Sequence, residues 1–341
     1  MNLVAGIRDV ARRAGVSATT VSRVLNNDTT LSVGNKTKEK IYQAVQELNY
    51  DISKRKYVKK RYPSIGVIAT ISRQSEIDDP YFSDLRSGME EEARRLHLGM
   101  NRVYNLSDNP KAWHDLDKLG AIIVIGTVDE KSVQKLKEQN SQVIIVDNPD
   151  IQTEADLVYA DFERMTKYIL RLFVEAGHRD IAYIGGYNID IDEKGTKSFN
   201  ENEKRLRTYR QFMQEQGLNI RYKLGNWEPL EGKRMTDELL AEGKNFPTAL
   251  LVGSDPLSVG VYRSLQTAER KVGSEVAIAS FDDIEIAEFL TPNLTTVAIN
   301  ASEIGRVAVR LAKERIDHIR DEPVVMTFPS KLIVRESFIP S

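Results

Sequence analysis

IRDVARRAGVSATTVSRVLN, residues Ile7 to Asn26, reads as two short helices meeting at Ala14-Gly15-Val16. Ile7, Val10, Ala11 and Ala14 share one face of the first, and Val21, Val24 and Leu25 share one face of the second. Ser17 is placed as N-cap of the second helix, where its hydroxyl can accept an otherwise unpaired backbone N–H. Ala18, Thr19, Ser22 and Arg23 then face solvent near the start of that helix. A helix-turn-helix offers such residues to base edges or phosphates when its second helix lies in a major groove. Any small two-helix corner with a glycine has this outline, so the surrounding charge has to decide.

It favours a nucleic-acid module. Asn35 to Tyr50, NKTKEKIYQAVQELNY, repeats Ile41, Val45 and Leu48 at helical spacing and carries Lys36, Lys38 and Lys40 in its first turns. Lysines at a helix start oppose the macrodipole, so phosphates are a better reason for them than helix stability. SKRKYVKKRY, Ser53 to Tyr62, adds six basic residues and no acidic one. Residues 1–62 hold 13 Lys or Arg against 5 Asp or Glu, a net of +8; the other 279 hold 35 against 45. A near-neutral chain thus hides a basic head on an acidic body.

With 341 residues the chain exceeds one ordinary core and fits a small module plus a two-lobed body. It has no cysteine, and its four histidines, His97, His114, His178 and His318, lack the spacing of a zinc motif. No metal and no cofactor are expected. No apolar run approaches a membrane span and the N-terminus lacks a signal-peptide pattern, so the expected compartment is the cytoplasm. GxSxG, P-loop, HExxH and GxGxxG are all absent, and the neighbouring Asp282 and Asp283 make a weak acid–base pair, so an enzyme is not expected.

From Pro63 onward, apolar runs alternate with amphipathic segments. SIGVIAT (64–70), GAIIVIG (120–126) and QVIIVDN (142–148) form one series with helices from about Phe82 to Leu96 and Glu130 to Asn140. DIAYIGG (180–186), PTALLVGSD (247–255) and EVAIASFDD (275–283) form a second, with helices at about 162–176, 202–216 and up to Ala268, and a polar loop after Gly186. LTTVAIN (294–300), a helix from Ala301 to about Ile319 and a strand-like tail follow. Such a pattern predicts two α/β lobes built on mainly parallel sheets. Ligands of such sheets sit beyond the strand carboxyl ends: Asp78 to Phe82, Thr127, Asp147, Tyr159, Ser254-Asp255 and Asp282-Asp283. Oxygen-rich groups beside aromatic rings suit a neutral polyhydroxylated molecule.

IRDVARRAGVSATTVSRVLNND with TKEKIYQAVQELNY, and then DDPYF, IAYIGG, ALLVGSD, VAIASFDD and LTPNLTTVAIN, closely resemble the LacI/GalR family of bacterial transcriptional repressors along essentially the whole chain. EIDDPYF, LNNDTTLSV and FPSKLIVRES look nearest to repressors of galactose-operon and evolved β-galactosidase genes. The resemblance implies an N-terminal all-α helix-turn-helix head (1–50), a basic hinge (51–62) and a two-lobed, periplasmic-binding-protein-like core (63–341). Lobe 1 is expected at about 63–160 and 291–320, lobe 2 at about 161–290 and 321–341. It implies a homodimer or a dimer of dimers on pseudo-palindromic operator DNA, with 84–96 at the dimer contact, and a small sugar effector, galactose or a galactoside. By resemblance Ala18, Thr19 and Arg23 read bases, Arg23 on a guanine. Ser17, Thr20, Ser22 and Asn26 lie near phosphates, and Lys54, Arg55, Lys59 and Lys60 add phosphate contacts. For the sugar, Asp79, Tyr81, Phe82, Asp147, Tyr159, Arg207, Trp227, Ser254 and Asp282 carry over, with Arg207 and Asp282 on hydroxyls and Trp227 or Tyr159 on the ring.

Two positions depart from the family. Ser254 stands where an asparagine is usual, which removes an amide from the sugar contacts. Lys59 stands at the hinge position of a leucine that enters the minor groove. A lysine holds phosphates but unstacks bases poorly, which predicts little central kinking and steep salt dependence. Circular-permutation gels test this: a sharp central bend lost in K59A would refute it. A sugar-binding module without DNA function, or a carbohydrate-active enzyme, remains the alternative.

Overall fold

The computed structural model describes residues 6–25, 33–48, 50, 63–106, 115–192, 194–243 and 246–340, in two compact units divided after Arg61. Asn26, Lys54, Arg55, Lys59 and Lys60 lie outside the described residues.

The first unit contains α1 (Ile7–Ala14), α2 (Ala18–Leu25) and α3 (Asn35–Glu47). Val10, Ala11, Ala14, Val21, Val24, Ile41, Ala44 and Val45 close one small core between them. Gly15 ends α1 with φ +69°, a left-handed conformation that suits glycine, and Val16 N–H reaches back to the Ala11 carbonyl at 3.1 Å. The chain can therefore turn sharply between the two helices, as the Ala14-Gly15-Val16 reading required. α3 stops at Glu47, and Leu48, at its end, still packs on the core.

In the second unit, β1 (Ser64–Ala69), β2 (Gly99–Asn105), β3 (Ala121–Ile125), β4 (Val143–Val146) and β5 (Asp156–Ala160) alternate with α4 (Arg73–Asp78), α5 (Pro80–Arg95) and α6 (Glu130–Gln139). α7 (Phe162–Glu175) opens the second lobe, followed by β6 (Ile181–Gly186), the hairpin β7 (Asn188–Ile191) and β8 (Lys197–Asn200), α8 (Lys204–Glu215), β9 (Arg221–Gly225) and α9 (Pro229–Ala241). β10 (Ala249–Val252), α10 (Asp255–Thr267), β11 (Ala277–Asp282), α11 (Ile286–Phe289) and β12 (Thr295–Ala298) continue it, and α12 (Ala301–Ile316), β13 (Val325–Phe328) and β14 (Lys331–Ile333) end the chain. The first sheet runs β13-β5-β4-β3-β1-β2, all parallel; the second runs β14-β12-β11-β10-β6-β9, parallel except for β14.

Alternation within buried strands sends Ile123 and Ile125 toward α5 and α12, and Ile122 and Val124 toward α6. Sheets covered on both faces need such unbroken branched runs. α5 and α12 meet through Gly88, where a Cβ would come within 2.0 Å of the Ser302 carbonyl oxygen, so only glycine lets these backbones approach.

The strands correct the expected lobe boundaries. β12, within the 291–320 stretch expected in the first lobe, lies in the second sheet, and β13, within the 321–341 stretch expected in the second lobe, lies in the first. α12 does pack on the first lobe. The chain therefore crosses between lobes three times, at 160–162, 298–301 and 328–331, and Phe162 and Ile299 pack against the cores of both. Pro329 lacks an N–H donor and interrupts the tail between its two short strands. The expected polar loop after Gly186 contains the β7–β8 hairpin.

Candidate functional site

In the head, Ser17 Oγ accepts the Thr20 N–H at 3.0 Å and lies 2.8 Å from Thr20 Oγ1, which caps α2 as the sequence implied. Thr19 is exposed and Ala18 half-buried in the first turn of α2, while Ser22 and Arg23, half-buried, lie in its last turn. Lys36, Lys38 and Lys40 are all exposed on α3. The acidic Glu47 is engaged by Arg13 at 2.6 Å.

In the core, strand ends of both lobes bring a charged cluster together. Asp79 caps α5 by accepting the Tyr81 N–H at 3.0 Å. Tyr81, buried, donates its hydroxyl to Asp147 Oδ2 at 2.7 Å. The other oxygen, Asp147 Oδ1, is buried with no hydrogen-bond partner among the described residues. Burial pushes the Asp147 carboxyl up to about 6, opposed by Tyr81 and Arg205 and reinforced by Asp79. Burial also raises Asp79, against the Tyr81 N–H and Arg205, and raises Asp282 strongly, helped by Asp255 and Asp79. Asp147, Asp282 and Asp283 hold φ of +62°, +109° and +56°. Such backbone costs roughly 1–3 kcal/mol per residue and tends to collect where a site needs it.

Facing these carboxylates from the second lobe is Arg205, a residue the sequence reading missed. Its Nε donates to Glu203 Oε1 at 2.7 Å and Nη1 to the Gly253 carbonyl at 2.6 Å. Its guanidinium lies 4.6 Å from the Trp227 ring centroid and 4.4 Å from that of Phe162. Burial works against its charge, but Glu203, Tyr183 and Asp282 outweigh it and raise its pKa. Trp227 is fixed by donating Nε1–H to the Tyr187 carbonyl at 3.1 Å.

Arg207, by contrast, does not join the cluster. It is exposed and donates to Asp150 Oδ1 at 2.7 Å. Two residues along a helix turn through about 200°, so Arg205 and Arg207 point to opposite sides. The signal for Arg205 was present: it shares a face with Tyr209 and Phe212, at four- and seven-residue spacing, and both are buried.

The other expected residues divide. Phe82 meets the Tyr81 ring edge-on at 5.2 Å and packs into the first lobe's core. Tyr159 packs on the α6 side with Ile189 rather than in the carboxylate cluster. Ser254 is buried and caps α10, accepting the Leu257 N–H at 3.5 Å. Asp255 braces the strand ends, accepting from Thr296 Oγ1 at 2.7 Å and Ile284 N–H at 3.0 Å, and Asp283 pairs with Arg335 at 2.8 Å. A cavity of about 580 Å³ opens from Tyr81 and Asp282 toward Ile286 and Phe289, beside the cluster rather than over Trp227. Among the described residues no three His, Asp or Glu side chains are placed to hold a metal ion, and no helix is long and apolar enough to cross a membrane.

Chemically, the cluster offers acceptors from Asp79, Asp147 and Asp282 and donors from one arginine, whose guanidinium lies on the Trp227 indole. It would meet a ligand rich in hydroxyls and poor in negative charge.

Comparison with known proteins agrees in layout. Residues 6–53 match the family model described as bacterial regulatory proteins, lacI family, and residues 170–338 match that of a periplasmic binding protein-like domain. The chain is 30% identical over 338 residues to the HTH-type transcriptional repressor MelR of Bacillus subtilis (strain 168), covering 97% of this chain and 96% of that one. It is 29% identical to the HTH-type transcriptional regulator GalR of Streptococcus thermophilus, covering 98% and 99%. Its fold is similar to that of the lac repressor dimer bound to operator and an anti-inducer, with TM-score 0.69, 23% identity and coverage of 98% and 99%.

Proposed function

Since the chain belongs to the LacI family of bacterial regulatory proteins, we propose that it is a cytoplasmic, sugar-responsive repressor acting as a homodimer on a pseudo-palindromic operator. Residues 1–50 would form the head, 51–62 the basic hinge and 63–341 the effector core. Ala18, Thr19 and Arg23 read bases from α2, while Ser17, Thr20, Ser22, Asn26, Lys54, Arg55, Lys59 and Lys60 hold phosphates. Two heads held by one dimer would face two half-sites.

The effector is a neutral sugar, galactose or a β-galactoside. Arg205, Asp79, Asp147 and Asp282 grip its hydroxyls and Trp227 covers its C–H face. Sugar that binds one arrangement of the lobes better than the other shifts the core between two states, and where the operator favours the other arrangement, as for an inducing sugar, DNA and sugar weaken each other by the same factor. The observation that carries the sugar half is the buried, unpartnered Asp147 Oδ1 set beside Tyr81 and facing Arg205. A free acceptor in that place suits a ligand hydroxyl.

Operator selection from random DNA, followed by displacement with galactose, lactose, allolactose and other sugars, tests both halves. Selection of no specific operator at physiological salt would overturn the repressor reading. Turnover of a galactoside would instead indicate an enzyme, and sugar binding without operator binding would leave only a sugar-binding module.

A further inference from the structure

We propose that the β7–β8 hairpin and the first turn of α8 form a two-part latch, thrown by the second lobe over the first, which holds the cleft closed and sets how tightly it binds ligand. The ligand clause rests on the sugar-responsive reading above; the latch itself does not.

The hairpin leaves the second lobe at Gly186 and docks on the first. Thr127 Oγ1 donates to the Ile189 carbonyl at 2.6 Å, Ile191 N–H reaches the Thr127 carbonyl at 3.4 Å, and Ile191 bridges Val128 in parallel fashion. The Ile191 side chain is 2% exposed and belongs to the first lobe's core cluster with Val128, Val133 and Leu136. A segment of one lobe thus supplies a core residue to the other. The hairpin is stiff enough to act as an arm: its strands pair from Asn188↔Asn200 to Ile191↔Lys197, and Asp190 accepts from Asn200 at 2.7 Å and from Asn188 at 3.3 Å.

The second part is ionic. Asp150, in the loop after β4, receives Lys204 Nζ at 2.6 Å and Arg207 Nη2 at 2.7 Å, both from α8. The arginine that does not reach the cleft therefore spans the two lobes instead. The arm also meets the cleft at its base, since the carbonyl that fixes the Trp227 indole belongs to Tyr187, whose ring packs edge-on against Phe199 at 6.1 Å. A ligand on the indole would bear directly on the root of the arm.

Opening the lobes about their three crossings has to withdraw Ile191 from an apolar core and part Asp150 from two cations, which the crossings alone do not require. A latch raises the fraction of molecules already in the binding arrangement, and apparent affinity scales with that fraction. Weakening either part should lower it.

The chain has no cysteine, so E138C on α6 and E215C on α8 give one clean pair of dye sites, one on each lobe. Single-molecule energy transfer without sugar should show I191S and D150A shifted to longer separations than the parent, with galactose restoring the short one and its apparent Kd raised about tenfold. Sugar-free distributions identical to the parent in both variants would overturn the latch. If the distributions shift but galactose binds neither parent nor variant, the latch stands and the galactose reading falls. Should I191S fail to fold, D150A and the parent at low and high salt decide, because salt screens only the Asp150 half. No shift in either overturns the proposal.

Discussion

Asp147 should make sugar binding depend on pH. Burial raises its carboxyl from 3.8 to about 6, so it is ionised at neutral pH and takes up a proton as pH falls through that value. Ionised, it can accept a sugar hydroxyl on Oδ1 while Oδ2 keeps Tyr81; protonated, it loses part of that acceptor capacity. Affinity should therefore fall with pH. A single group titrating near 6 drops from about nine-tenths ionised at pH ~7 to about one-tenth at pH ~5, so galactose should bind about tenfold more weakly at the lower pH. Titration calorimetry across this range measures it, with D147N as the control. That variant should bind weakly throughout, with a flatter profile whose remaining slope reports Asp79 and Asp282, both also raised by burial. An equal slope in parent and D147N would refute the assignment to Asp147. For the sugar-free fold the sign reverses. A carboxyl that binds its proton more tightly when folded contributes its stability below 3.8 and loses it as pH rises through about 6, so the parent should lose melting temperature relative to D147N across that window.

R205A should cut galactose affinity roughly 100-fold, since it leaves facing carboxylates without their cation, while R207A should cost only several-fold; calorimetry giving the reverse order would reject the placement of Arg205. R23A should weaken the selected operator by about 1–3 kcal/mol and relax choice at one base pair, so a uniform loss over all sequences in competition gel shifts would mark Arg23 as a phosphate contact. G88A should lower core stability by about 1–3 kcal/mol, because its methyl meets the Ser302 carbonyl; an unchanged urea midpoint would show that α5 and α12 part more easily than their geometry implies.

Features set by local chemistry were legible in the chain. Gly15 and Ser17 mark the corner of the head, and the unbroken apolar runs of β1, β3, β4 and β10 mark two covered sheets. Features set by the meeting of distant segments were not. Asn188-Ile189-Asp190-Ile191 alternates as a strand should, but Lys197-Ser198-Phe199-Asn200 does not, and so many polar groups around Gly195 read as loop until the first lobe supplies a place for Ile191. VMTF and KLI carry similar patterns but join different sheets, a choice made by neighbours more than 30 residues away in sequence. Asp283 and Ser254 look like ligand groups at strand ends, and only the Arg335 pair and the α10 cap show where their oxygens are used.

The late arrival of β13 bears on how the chain is made. β5 forms the edge of the first sheet until Val325–Phe328 pairs with it, and that segment leaves the ribosome 168 residues later, roughly 8–34 s at ordinary synthesis rates. An open edge strand invites pairing with other chains. Asp156 stands in that edge, and its eventual partners, Arg315 at 3.0 Å, Arg320 at 2.7 Å and the Val324 N–H at 2.8 Å, all come from the same late stretch. Until they emerge it leaves an unpaired charge on the growing edge, a guard against aggregation during synthesis that the finished protein converts into an internal clasp.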